Sequence, residues 1–107
     1  MRTVLKFTVP VDVGNKTIGD GTLPKTLESL LEELKPEAAY FFAHNGERSG
    51  FIVFDMQEPS QIPLIAEPLF SNLHAKVEFH PAMNVEDLRK ALAEIETKHR
   101  HAAGKAA

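Results

Sequence analysis

Residues 3–9 alternate in polarity. Thr3, Leu5, Phe7 and Val9 fall on one side, and Val4, Lys6 and Thr8 on the other. That period of two predicts a strand with one apolar face. Pro10 ends it, and "VGNKTIGDGT" (13–22), with three glycines, predicts a turn-rich connection with room for a helical turn. The pattern then changes period. Leu23, Leu27, Leu30, Leu31 and Leu34 recur at helical spacing, with Thr22 as the expected cap, Pro24 in the first turn and Pro36 as the stop.

"EAAYFFAHNGERSGFIVFDM" (37–56) returns to a period of two and predicts a hairpin. Asn45-Gly46 supplies the two positive-φ residues of a type I′ turn. That turn sets the register: His44 opposite Glu47, Phe42 opposite Ser49, Tyr40 opposite Phe51, and Ala38 opposite Val53. The other side holds Ala39, Phe41, Ala43, Arg48, Gly50, Ile52, Phe54 and Met56, so both faces are largely apolar away from the turn.

"EPSQIPLIAEPLFSNLH" (58–74) predicts a second helix, with Ile62, Ile65, Ala66 and Leu69 facing inward and a bend or break expected near Glu67-Pro68. In "AKVEFHPAMNVEDL" (75–88), Ala75, Val77 and Phe79 oppose Lys76, Glu78 and His80 along a last strand. Asn84 and Asp87 then have the spacing of a capping box, Met83 and Leu88 that of a hydrophobic staple. Leu88, Ala91, Leu92 and Ile95 continue a helical stripe.

The resulting order, β-α-β-β-α-β-α, contains the ferredoxin-like βαββαβ unit followed by a C-terminal helix. It predicts an α+β domain over residues 1–100, with a four-stranded antiparallel sheet and residues 101–107 as a flexible tail. A sheet covered on one side is polar on the other. The doubly apolar hairpin therefore calls for a second cover, and a homodimer stacked through the sheet face supplies it.

Composition narrows the function classes. The chain has 107 residues, 43 % apolar and 25 % charged, with a formal net charge of −3. It carries no basic excess for nucleic acid and no apolar run long enough for a membrane span. The absence of cysteine excludes thiolate catalysis and thiolate metal sites. A start without a signal-like apolar run leads to the expectation of a cytoplasmic protein.

The stretches "DGTLPKT", "LKPEAAYF", "GFIVFDM", "SQIPLIAEP" and "NVEDLRKA" together resemble short bacterial proteins of unknown function in the dimeric α/β-barrel superfamily. The segment "VFDMQEPSQIPLIAEPLFSNLHAKVEF" is more weakly similar to the muconolactone isomerases, without a catalytic residue that can be matched. The superfamily resemblance implies a dimeric α/β barrel. It implies several activities too, including isomerases, cofactor-free monooxygenases and ligand sensors, so it selects no chemistry.

Two groups of residues are candidates for a site. Glu78 could orient or ionise His80 as a general base, beside Lys6 on the neighbouring strand. The competing role is cross-strand ion pairing, which is far commoner. Tyr40 could donate a hydrogen bond in a pocket lined by Phe42 and Phe51, suited to a flat apolar or aromatic ligand. The competing role is a core aromatic. His44, beside the turn, and Glu67, before Pro68, read as structural. His99 and His101 are two residues apart, which does not place both on one helical face, and no metal or cofactor is expected. The functional expectation is a small-molecule-binding or sensing protein. The alternative is a cofactor-independent isomerase, cyclase or monooxygenase acting on a small aromatic or lactone-like metabolite.

Overall fold

The computed structural model describes residues 1–106, and side chains through His101. β1 (Arg2–Val9) is followed by two helices, α1 (Val11–Gly19) and α2 (Thr22–Leu34). The hairpin strands β2 (Ala38–His44) and β3 (Glu47–Asp55) come next, then α3 (Gln61–Leu73), β4 (Lys76–Pro81) and α4 (Val85–Ala106). The strands form one antiparallel sheet in the order β2-β3-β1-β4. This is an α+β, ferredoxin-like fold.

The hairpin register is the one the turn dictates. His44 lies opposite Glu47, Phe42 opposite Ser49, Tyr40 opposite Phe51 and Ala38 opposite Val53. Asn45 and Gly46 have φ of 51° and 75°, the two left-handed positions of a type I′ turn. On the helix-facing side, Leu5, Phe7, Val9, Ile52 and Phe54 are buried against Leu30, Ile65, Leu69 and Leu73. At about 25 cal/mol per Å² of apolar surface, this layer supplies most of the drive for folding.

Several local expectations need correction. The glycine-rich connection holds a nine-residue helix, α1, rather than a single turn. Its Gly14 has a packing reason: a Cβ there would collide with Nη1 of Arg48 and stand 3.2 Å from its Cδ. Thr22 does not cap α2. Gly21 holds the cap position, and the Asp20 carboxylate accepts the Thr22 N–H at 2.9 Å.

Helix α3 runs unbroken through Pro68. The hydrogen bond lost there is the one to the carbonyl of Leu64, a residue 66 % exposed, while Ile65, Ala66, Leu69 and Leu73 clamp both halves onto the core. Pro63 falls in the first turn, where the N–H has no helical partner. Ile62 is turned outward, and the buried row runs Ile65, Leu69, Leu73 at steps of four.

The start of α4 is built as the spacing predicts. The Asp87 N–H donates to Asn84 Oδ1 at 2.8 Å, and the Asn84 N–H to Asp87 Oδ2 at 3.1 Å. Asp87 also lies 3.5 Å from Arg2, which ties the helix start to β1. Beyond that anchor the stripe of α4 is uncovered, with Leu88, Leu92 and Ile95 exposed by 43 %, 53 % and 62 %. Of the expected staple, Met83 is largely in water and Leu88 only partly covered. The helix extends past the expected boundary at residue 100 to Ala106, and Ala107 lies outside the described residues.

Candidate functional site

Strand pairing decides which side chains share the face turned away from the helices. Reading across the sheet from β2 to β4, one row is Tyr40, Phe51, Lys6 and Glu78. The rows beside it are Phe42, Ser49, Thr8 and Lys76, and Ala38, Val53, Val4 and His80. All six residues singled out from the sequence, Lys6, Tyr40, Phe42, Phe51, Glu78 and His80, therefore lie on this one open face.

They divide into two halves. On β4, His80 Nε2 lies 3.2 Å from Glu78 Oε1, with 58 % and 55 % of the two side chains in water. An ion pair that exposed contributes at most about 1 kcal/mol. On β2 and β3, the Phe42 and Phe51 rings meet at 5.1 Å and 50°. Lys6 is between the halves. Its Nζ sits over the Phe51 ring, 5.8 Å from the centroid, as a cation–π contact. Tyr40 stands at the sheet edge, 66 % exposed.

A second feature lies on the opposite side of the sheet, at the hairpin end. The helices leave the edge strand uncovered there, and Phe41, on the helix-facing side of β2, is 50 % exposed. Phe7, Val9, Phe41 and Ala43 from the sheet and Leu23 and Leu27 from α2 line an open hollow of about 350 Å³. Phe42, Ser49 and Arg48 complete its wall. The side chains turned into it are apolar apart from Arg48. The Arg48 guanidinium donates through Nη2 to Asn15 Oδ1 at 3.1 Å. The Ser49 hydroxyl points to the open face, 3.2 Å from the Glu47 carbonyl and 3.3 Å from Thr8 Oγ1, and shares its one proton between them.

Sequence reasoning did not find this hollow. One signal was available: Arg48 is the single charge on the otherwise apolar helix-facing side of the hairpin. What it could not show is that α2 lies beside that side without covering β2. At the far end of the sheet, His80 borders a smaller apolar depression of about 180 Å³ with Phe79, Met56 and Ile62.

Among the described residues no group of three His, Asp or Glu side chains is placed to hold a metal ion. No helix of the described residues is long and apolar enough to cross a membrane. The chain matches no protein-family model and no curated protein.

Proposed function

We propose that the protein is a cytoplasmic homodimer that binds a small apolar or aromatic molecule without transforming it. The observation that carries this reading is the hollow beside α2. Its volume is about twice that of the roughly 150 Å³ apolar cavity known to take up benzene. An apolar lining with a single polar side chain, Arg48, to orient the bound molecule fits the usual make-up of a small-ligand site. Phe41 and Leu23 are only partly covered, so a ligand would remove apolar surface from water at both.

The dimer is supported by surfaces that one chain leaves bare. Tyr40, Phe42 and Phe51 form a continuous exposed aromatic patch on the open face. Contiguous patches of this kind mark contacts with another molecule. A second copy stacked on the same face would cover the patch on both chains at once, in the dimeric α/β-barrel arrangement that the resemblance implies.

An ¹⁵N–¹H NMR titration with the neutral probe 4-methylbenzyl alcohol tests the binding. Shifts centred on Leu27, Phe41, Ala43 and Arg48, lost in Ala43→Leu, are expected. Shifts centred on Lys6, Tyr40 and Phe51 would move the site to the open face, and no saturable shift would overturn the reading. Light scattering after size exclusion tests the dimer. The expected result is a dimer at micromolar concentration, dissociated by Phe51→Glu; a wild-type monomer would refute it.

A further inference from the structure

We infer that the hollow selects a ligand bearing a carboxylate, and that Arg48 is the residue that recognises it. The inference rests on the binding reading above and names the chemical class of the ligand.

The position of Arg48 is the first reason. Its strand neighbours on the helix-facing side are Val9 and Ala43, and Gly50 follows it on the same side. Arg48 as a residue is half-buried, its stem lies among apolar neighbours, and its charge gains from a matched partner. The side chain has five N–H donors. One is used by the neutral Asn15 amide oxygen, and no carboxylate among the described residues pairs with it. Every other arginine with a described side chain, Arg2, Arg89 and Arg100, has a carboxylate partner.

The second reason is that the guanidinium is held in place. Helix α1 has glycine at the one point where any side chain would displace Nη1. Gly14 is buried, and Asn15, the next residue, supplies the oxygen that Nη2 engages. The guanidinium is therefore braced against α1 from one side while its stem lines the hollow. A braced, planar donor fork fits a carboxylate in a two-bond geometry better than it fits a lone hydroxyl.

The third reason is the balance of charge and surface. Arg48 is the single ionisable residue of the lining, so one negative charge is matched and a second is not. The remainder is aliphatic and aromatic. The combination favours an apolar monocarboxylate, such as an aryl or short alkyl acid, over a phosphorylated compound.

The test compares two probes of nearly equal size, 4-methylbenzoate and 4-methylbenzyl alcohol, by NMR titration of the full chain at pH 7. A charge-assisted hydrogen bond predicts that the wild type binds the acid roughly 10- to 100-fold more tightly than the alcohol. Arg48→Gln should abolish that preference, the ratio of the two affinities falling to about one, with its amide spectrum reporting that the variant is folded. Arg48→Lys should keep the charge and part of the preference. Equal affinities in the wild type, or a preference that survives in Arg48→Gln, would overturn the inference and leave the binding reading standing. If neither probe binds, the hollow is not a ligand site and both fall together.

Discussion

Gly50 offers the sharpest test of the packing that shapes the hollow. It is buried in β3 between Phe7 of β1 and Phe41 of β2. A Cβ at this position would stand 2.6 Å from Phe7 Cε1, 2.7 Å from Cζ and 3.0 Å from Phe41 Cδ1. Carbon atoms pack best at roughly 3.5–4.0 Å, so in Gly50→Ala the Phe7 ring must retreat by about 1 Å. Phe41 can swing into solvent, being half exposed, but Phe7 is 3 % exposed and fixed in the core. Overpacking of this sort costs about 1–3 kcal/mol. Alanine recovers about 0.5–1 kcal/mol because it loses less backbone entropy than glycine in a strand. The new methyl displaces a ring rather than water, so little transfer energy offsets the clash. The balance is a destabilisation of about 1 kcal/mol, or a fall in Tm of about 4–8 °C for a domain of this size. Far-UV circular dichroism melts at one fixed protein concentration measure it, since Tm depends on concentration if the chain dimerises. In a Phe7→Leu background the clash is gone, and Gly50→Ala should then be neutral or stabilising, a coupling of roughly 1–2 kcal/mol. A single Gly50→Ala variant as stable as the wild type would refute the reasoning. Because the retreating ring lines the hollow, the same variant should also weaken 4-methylbenzoate binding.

Other expectations follow from the same geometry. Asn84→Ala removes one half of the α4 capping box and should cost that helix about 1 kcal/mol, seen as faster amide exchange over residues 85–89; unchanged exchange would contradict the assigned cap. The Thr22 hydroxyl and backbone N–H hold the Asp20 carboxyl below the ordinary carboxylate range. Its folded-state pKa is thus below its unfolded one, so its contribution is complete at neutral pH and is lost as pH falls through the acid range. Asp20→Asn should flatten the dependence of Tm on pH there, and an identical slope would exclude the role. In the single chain both members of the His80–Glu78 pair are over half in water, so in the dimer-breaking Phe51→Glu background His80→Ala should cost no more than about 0.5 kcal/mol in urea unfolding, and a larger loss there would contradict the exposed pair.

Local chemistry and global contact divide this protein between them. Asn45-Gly46 favours one backbone shape, and that shape assigned the hairpin register and put Tyr40, Phe42 and Phe51 on one face, which Lys6, Glu78 and His80 join through the pairing of β1 with β3 and β4. The Asn84/Asp87 box and the period-two strands were legible for the same reason: each is a bargain among neighbours in sequence. Three other features depended on partners far along the chain. The glycines of residues 14–21 looked like a loop, yet Gly14 is helical and leaves the space in which the Arg48 side chain rests. Pro68 looked like a helix breaker, and the buried row Ile65, Leu69 and Leu73 holds α3 together across it. The hollow forms where α2 lies beside the edge strand without covering it, which leaves Phe41 half exposed. Periodicity specifies which side of a strand or helix is apolar, but only tertiary packing decides how much of that side is covered, and the proposed binding site lies in the uncovered remainder.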